Sequence, residues 1–309
     1  MSKVIVTTTI NAPAEALRKF AAMPDWQLVV IGDKKTPPDF HIDGAIYVSP
    51  EEQKKYDRDL SEALGWNVVE RRNYGFLWAR DMDPEVVAVV DDDNVPLENW
   101  GEQIFVGKEV EVDYYETDLV AFDPVAVTEH SHLWHRGYPP QLLAERDFGK
   151  PNRKVVTPDV QADFWNGDPD IDAFCRMQFK PDVVFDAGRF PLASNKMGPF
   201  NSENTFVSPD WLGEYFLFPH VGRFIDIWTA YYVQAHGPRS STAHPPYDRT
   251  GTCTTSRVTS PRSSSDTSTH LNCSVAWPRT RWPSSISCPS GRRSRTGRIA
   301  STSSRSGVD

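Results

Sequence analysis

An apolar run that leads into three carboxylates constrains this chain more than any other feature. Residues 86–90 read Val-Val-Ala-Val-Val and are followed by Asp91, Asp92 and Asp93. Five small or β-branched apolar residues in a row predict a strand buried on both faces, as in a parallel sheet. The carboxylates follow the carboxyl end of that strand, where ligands bind in open α/β sheets. The run therefore predicts an α/β fold with a ligand site at this sheet edge.

The three carboxylates suggest a divalent cation. Adjacent carboxylates repel one another, and a cation between them removes that repulsion. Mg²⁺ or Mn²⁺ is commonly held by one or two carboxylates, while substrate phosphates complete the shell. Asp91 and Asp93, with Asp92 in support, are therefore predicted to hold Mn²⁺ or Mg²⁺ against a diphosphate. The alternative is a solvated acidic turn closed by Asn94 and Pro96.

A basic helix is predicted just upstream. Residues 71–79 have apolar side chains at helical spacing, and Gly75 would allow another backbone to approach closely. Arg71 and Arg72 lie near the start of this helix. Arginine suits phosphate because its planar fork donates two parallel hydrogen bonds, although solvated surface arginines are the alternative for each residue alone.

The first fifty residues predict alternating strands and helices. Strands are expected over residues 3–10, 27–31 and 45–48, and helices after Asn11-Ala12-Pro13, over residues 14–23, and after Ser49-Pro50-Glu51-Glu52. Such alternation predicts a largely parallel sheet. Asp33 follows the second strand, where it could contact a base or a ribose, although a turn-forming role is the alternative.

Several ordered motifs within residues 3–237 closely resemble STELLO-type glycosyltransferase-like proteins. The order of basic residues, Asn-x-Gly helix, apolar strand and Asp-x-Asp also resembles nucleotide-sugar glycosyltransferases of the GT-A fold. The motifs are Thr7-Thr8-Thr9-Ile10-Asn11-Ala12-Pro13, Asp25-Trp26-Gln27-Leu28-Val29-Val30-Ile31-Gly32-Asp33-Lys34-Lys35-Thr36-Pro37, Arg72-Asn73-Tyr74-Gly75, Asp91-Asp92-Asp93-Asn94 and Trp165-Asn166-Gly167-Asp168-Pro169-Asp170-Ile171-Asp172-Ala173.

The resemblance implies a GT-A-like sheet flanked by helices and a metal-dependent glycosyltransferase. The donor would be a nucleotide sugar, expected to be UDP-linked, and the acceptor a glycan or another hydroxyl compound. Because they flank neighbouring strand ends, six residues are predicted to line the nucleotide pocket: Thr8, Thr9, Asn11, Asp33, Arg72 and Asn73.

A more distant resemblance is to the reversibly glycosylated polypeptides, which include UDP-arabinopyranose mutases. Arg136-Gly137-Tyr138-Pro139 and Gly222-Arg223-Phe224-Ile225-Asp226-Ile227-Trp228 carry it. In the mutases the arginine matching Arg136 is self-glycosylated, so a mutase or self-glycosylating protein is the second hypothesis. The mutase segment continues to a second arginine where this chain has Leu143, which weakens that hypothesis. A non-catalytic nucleotide-sugar-binding or scaffold protein is the third.

The middle of the chain adds candidate catalytic residues. Asp226, in an aromatic helix or strand over residues 224–232, is either structural or a contact to sugar hydroxyls or metal. Asp170 belongs to the alternating series Asp168, Asp170 and Asp172, which is either a polar loop with an Asx turn or, given the resemblance, part of the acceptor or donor-sugar side. His130, His132 and His135 lack metal-site spacing, which favours a solvated or packing role.

Composition divides the chain at residue 237. Residues 238–309 contain no Lys or Glu, but 11 Arg, 3 Asp and 29 Ser or Thr among 72 residues. Such a segment predicts a disordered tail after a domain of residues 1–237. Residues 249–256 can be encoded so that the frame one base upstream reads Gln-Asp-Arg-Asn-Val-His-Asp-Leu. The tail is therefore predicted to be translated from the wrong reading frame, and the chain as written is expected to be less stable or less active than one with the native frame. Sequencing the gene tests this prediction.

Composition also limits the other classes of function. The domain holds a single cysteine, Cys175, so no disulfide framework is expected. No signal peptide and no apolar span of membrane length is evident, which predicts a cytoplasmic protein without a membrane span. The domain is acidic, and this argues against a nucleic-acid partner.

Overall fold

The structure is a computed structural model that describes residues 3–236 and the strand at 252–255. Its strands form one sheet in the order β3-β2-β1-β4-β9-β7-β10-β8-β5-β6. The strands are β1 (Lys3–Thr9), β2 (Trp26–Gly32), β3 (Ala45–Val48), β4 (Val86–Val90), β5 (Val110–Tyr115), β6 (Asn152–Val156), β7 (Val160–Asp163), β8 (Leu192–Ser194), β9 (Asn204–Val207) and β10 (Thr252–Thr255).

The sheet is parallel in its first half and mixed in its second. β3, β2, β1 and β4 pair in parallel, and Thr9 of β1 lies in register with Gly32 of β2. β9 lies between β4 and β7 and runs antiparallel to both, so the parallel order stops at β4. The predicted α/β architecture is confirmed, whereas the largely parallel sheet is confirmed only for these four strands.

The helices begin close to the positions that the sequence predicts. Ser49 caps α2 in a capping box with Glu52, as its sequence indicates. The first helix differs, because its N-cap is Ala14, without a side-chain hydrogen bond, and Asn11 instead binds a carboxylate described below. The helices are α1 (Glu15–Ala21), α2 (Pro50–Tyr56), α3 (Arg58–Leu64), α4 (Arg72–Asp81), α5 (Ala173–Phe179) and α6 (Ile225–His236), with 3-10 turns at Val69–Arg71, Pro124–Val127, Pro140–Glu145, Ala187–Arg189 and Pro209–Trp211.

Helices cover both faces of the parallel strands. Alternate strand residues such as Val6 and Val89 pack with α4 and α6 on one face. Their neighbours, including Ile5 and Ala88, pack with α1 on the other. All five residues of β4 are buried, which confirms the strand predicted from its apolar run.

Gly75 brings α4 close to β1. A Cβ atom added at Gly75 would lie 2.2 Å from Val6 Cγ1, well inside van der Waals contact. Glycine therefore sets the distance between helix and sheet, in agreement with the close approach predicted from the sequence. This packing places the first turn of α4 near the edge where β1, β2 and β4 end, which is called the carboxyl edge below.

Most of the predicted tail lies outside the described residues. Of residues 238–309, the structure describes Thr252–Thr255, which form a strand between β7 and β8. The prediction that this segment is out of frame concerns residues that are otherwise not described. Among residues 3–236 and 252–255, no helix has both the length and the apolar character needed to cross a membrane.

Candidate functional site

Two neighbouring strand ends meet at Asp92. Because β1 and β4 are parallel neighbours, the turn after β1 lies beside the acidic residues after β4. Thr9 Oγ1 donates a hydrogen bond of 2.5 Å to Asp92 Oδ2, and the Asn11 side-chain amide donates one of 3.1 Å to the same oxygen. Thr8, which precedes Thr9 in β1, is half-buried. The structure thus brings together the β1 turn and the acidic motif.

Asp91 is bound by a buried arginine. Arg72 Nη2 lies 2.5 Å from Asp91 Oδ1, while Nη1 donates to the carbonyl oxygen of Ser202 at 2.6 Å and to its hydroxyl at 2.8 Å. The Arg72 side chain is 2% exposed. Burial alone would lower the pKa of Arg72, but Asp91 outweighs burial and the pKa is raised. Arg72 is therefore an internal counter-ion of Asp91 rather than a solvated surface arginine.

Asn73 lies in the same helix turn but bonds to the backbone. Its amide nitrogen donates to the Leu217 carbonyl oxygen at 2.8 Å, and its side-chain oxygen accepts from the Leu217 amide at 2.8 Å. The side chain is buried. A nucleotide contact by Asn73 would have to replace one of these bonds.

Asp33 lies at the carboxyl edge after β2, but its carboxylate holds a loop. Oδ2 accepts from the backbone amides of Asn67 at 2.7 Å and Val68 at 3.3 Å, and Oδ1 accepts from the Lys34 amide at 2.6 Å. Asp33 is 4% exposed. The predicted contact to a base or ribose would thus have to share a carboxylate that already accepts these bonds.

Arg136, Asp170 and Asp226 meet in one network. These three residues and Glu203 are called the arginine cluster below. Arg136 Nε donates to Asp170 Oδ1 at 2.6 Å, while Nη1 and Nη2 donate to the two oxygens of Asp226 at 3.0 and 2.6 Å. Glu203 Oε1 lies 3.4 Å from Nη2. The three residues predicted to be catalytic are therefore in direct contact, although 90 positions separate Arg136 from Asp226.

Burial and neighbouring charges shift the pKa values of Arg136 and Asp170 in opposite directions. Burial alone would lower the pKa of Arg136, but Asp170 and Asp226 outweigh it and raise that pKa well above the usual range. Burial alone would raise the pKa of Asp170, but Arg136, His135 and Asn201 outweigh it and lower that pKa. The pair is thus held in its charged form.

Residues 201–203, named the bridging segment, connect the two groups of charges. Asn201 donates to Asp170 Oδ2 at 2.8 Å, Ser202 accepts from Arg72, and Glu203 contacts Arg136. Sequence reasoning missed these three residues. Their only local signal is a polar run just before β9, and nothing in that run indicates that β9 pairs with β4.

The remaining polar candidates do not converge on one site, although the His130 and His132 rings lie edge to face with centroids 6.4 Å apart. Asp168 binds Arg176 at 2.8 Å, and Asp172 caps α5 through the Phe174 amide at 2.9 Å. The three histidines contact different groups: His130 bonds to the Val184 carbonyl oxygen, His132 packs on Phe179 and His135 Nδ1 bonds to the Arg136 carbonyl oxygen. Leu143, where the mutases have an arginine, packs into apolar clusters.

The donor set at the carboxyl edge fits a cation that relies on substrate phosphates. In the described part of the chain, no group of three or more His, Cys, Asp or Glu side chains is arranged to hold a metal ion. Asp91 and Asp92 are half-buried and Asp93 is exposed. One or two such carboxylates, completed by diphosphate oxygens, form the usual Mg²⁺ environment.

The connected network is rich in carboxylates. Its two arginines, Arg72 and Arg136, face four carboxylates, and Asp92 and Asp93 follow Asp91 in sequence. Carboxylates attract cations by their charge.

Comparison with known proteins agrees with the motifs. No protein-family model matches the chain. Two curated Arabidopsis thaliana proteins, described as probable glycosyltransferases STELLO2 and STELLO1, are 24% and 23% identical to it over 222 residues. The matches cover 66% of this chain and 29% of each relative, so the chain spans less than a third of their length. They confirm the STELLO-type resemblance and support a glycosyltransferase-like protein.

Proposed function

We propose that this chain is a metal-dependent glycosyltransferase that uses a nucleotide sugar, with a UDP-sugar as its donor. The observation that carries the proposal is the bridging segment, which joins Asp91 and its counter-ion Arg72 to the arginine cluster. One continuous polar site then holds diphosphate-binding chemistry at one end and carboxylates suited to sugar hydroxyls at the other. The similarity to the two STELLO proteins supports the reaction class.

Asp91 and Asp93 would hold Mn²⁺ or Mg²⁺ at the carboxyl edge. A cation bound there supplies Lewis-acid neutralisation of the charge on the departing diphosphate. Thr9 and Asn11 fix Asp92 by their hydrogen bonds, so that it supports the site from the β1 side. Arg72 binds both Asp91 and Ser202 and so orients the Asp91 carboxylate.

The arginine cluster would contact the sugar and the acceptor. Asp170 and Asp226 are each about a tenth exposed in their side chains, which leaves room for a hydroxyl at their edges. Arg136 holds both carboxylates in place and lowers the pKa of Asp170. A charged, oriented carboxylate can accept the proton or the hydrogen bond of an acceptor hydroxyl.

The geometry favours transfer to an added acceptor over self-glycosylation of Arg136. A guanidinium attacks a sugar only through a neutral nitrogen, and two carboxylates raise the pKa of Arg136 well above the usual range. Its Nε and both Nη atoms also donate hydrogen bonds within the cluster. Self-glycosylation would require one of these nitrogens to lose both its proton and its hydrogen bond to a carboxylate.

Labelled UDP-sugars test the proposal directly. The full chain is incubated with each sugar and a set of hydroxyl acceptors, with Mn²⁺ or with EDTA. Label on an added acceptor, lost in EDTA, is the expected result. Label on the protein itself would instead support the mutase or self-glycosylating alternative, and binding without transfer would support the non-catalytic alternative.

A further inference from the structure

Trp66 lies among three cationic side chains near the end of β2. Its ring centroid is 3.7 Å from Arg71 Cζ, 4.9 Å from Lys34 Nζ and 5.2 Å from Lys54 Nζ. Arg71 is fully buried, whereas both lysines are exposed and Trp66 is partly exposed. The arrangement offers an aromatic surface with positive charge beside it.

The loop that carries Trp66 is fixed on both sides. Asp33 accepts hydrogen bonds from the backbone amides of Asn67 and Val68, directly after Trp66. Before it, the Gly65 carbonyl oxygen accepts a hydrogen bond of 3.2 Å from Arg71 Nη1. Arg71 is itself held by Gln53 Oε1 at 2.8 Å. The ring is therefore held in place by buried charged groups before any ligand arrives.

Hydrogen bonds connect this loop to the acidic motif. Thr36 Oγ1 accepts from the Asp33 amide at 2.7 Å and donates to the Thr9 carbonyl oxygen at 2.6 Å. Thr9 in turn donates to Asp92. Since β1 and β2 are parallel neighbours about 4.8 Å apart, Trp66 and Asp92 lie along the same carboxyl edge.

We propose that Trp66 is the stacking platform for the nucleobase of the donor, and that Asp33 and Arg71 are positioning residues for it. The inference rests on the proposed function, because it assigns the base end of the same nucleotide. Stacking of a base on an aromatic side chain contributes about 1–3 kcal/mol. An exposed cation–π contact contributes about 0.5–1 kcal/mol, so a base can displace Lys34 and Lys54 from the ring.

The test compares ligands that have and lack a base. Binding of UMP, UDP and inorganic pyrophosphate to the full chain is measured by calorimetry with Mn²⁺ present. Trp66→Ala should weaken UMP and UDP binding by about 5- to 150-fold, the equivalent of one stacked base, and leave pyrophosphate binding unchanged. Trp66→Phe should retain most of the affinity. Trp78→Ala, which removes another partly exposed tryptophan, is the matched control and should change none of the three.

The outcomes separate this inference from the proposed function. Unchanged UMP and UDP affinity in a folded Trp66→Ala variant would overturn the platform and leave the proposed function standing. An equal loss of pyrophosphate binding would also overturn it, because a base platform does not contact pyrophosphate. If the unmodified chain binds neither UMP nor UDP, both proposals fail.

Discussion

Arg72 and Asp91 form a buried ion pair that joins the first residue of α4 to the end of β4. The two side chains meet at 2.5 Å, and Ser202 holds the other side of the guanidinium. Because the Arg72 guanidinium binds Asp91 on one side and Ser202 on the other, it stabilises the fold and also positions Asp91 in the site. Changes at Arg72 should therefore affect stability first and ligand binding second.

Arg72→Lys tests this order of effects. Lysine lacks the planar fork and cannot bind Asp91 and Ser202 together. We expect the free energy of unfolding to fall by about 2–5 kcal/mol, near the cost of breaking a buried pair, and UDP binding to weaken as well. Urea titration measures the first effect.

Arg80→Lys is the matched control for Arg72→Lys. Arg80 is 56% exposed in its side chain and its nearest carboxylate is 3.5 Å away, so the expected change is within about 0.5 kcal/mol. Equal effects of the two substitutions would contradict the internal counter-ion role of Arg72.

Asp93→Ala separates metal binding from stability. Asp93 is exposed, so its removal should change the free energy of unfolding by no more than about 0.5 kcal/mol. If it helps to hold a cation, the gain in UDP affinity on adding Mn²⁺ should disappear. Asp39→Ala, at another exposed aspartate, should leave that gain intact, and an undiminished Mn²⁺ effect in Asp93→Ala would refute the metal assignment.

Asp170 should make stability depend on pH in the acid range. Its pKa in the folded chain lies below the ordinary value of 3.8, so its contribution is present above about pH 4 and is lost as pH falls through the folded pKa. Asp170→Asn should therefore lose less stability than the native chain between pH 7 and pH 3, as measured by chemical unfolding at each pH.

The comparison with Asp170→Asn is needed because the protonation of another buried carboxyl changes the stability in the opposite direction as pH falls. Burial raises the pKa of Asp123 despite its bond to Arg146, so protonation of Asp123 favours the folded state as pH falls. Both proteins retain Asp123, and the difference between their curves isolates Asp170. Identical curves would show that Asp170 is not held charged by Arg136.

Gly75→Ala tests the spacing of α4 and β1. The added methyl group would lie 2.2 Å from Val6 Cγ1, and relieving that overlap should cost about 1–3 kcal/mol. Gly213→Ala is the control, because a Cβ atom there meets nothing within 4 Å. Adding Val6→Ala to Gly75→Ala should recover part of the lost stability, and a thermal unfolding series measures all four proteins.

The parts that the sequence predicts well depend on local patterns. β3 and β4 have the predicted bounds, and Ser49 caps α2 because serine before a first-turn proline and glutamate is a local signal. The first four strands also end at one edge, as parallel neighbouring strands must. These features need only short-range periodicity and one rule of sheet topology.

The parts that were not predicted depend on contacts between distant segments. Asn11 was expected to start a helix, but Asp92 lies close enough to bind it, 81 positions along the chain. Arg72 is predicted to bind phosphate, but its hydrogen bond to Ser202, 130 positions along the chain, was not predicted. Nothing local to residues 201–203 indicates where β9 enters the sheet.

The position of β9 has a consequence for the order in which the site can be built. Arg72 and Asn73 obtain their partners from Ser202 and Leu217, so the first ninety residues cannot complete the site when they leave the ribosome. Contacts so distant along the chain form late and slowly in folding. Until then the Arg72 guanidinium and the Asn73 amide would be hydrated by water in place of Ser202 and Leu217, so the nucleotide end of the site becomes complete only after most of the domain has been synthesised.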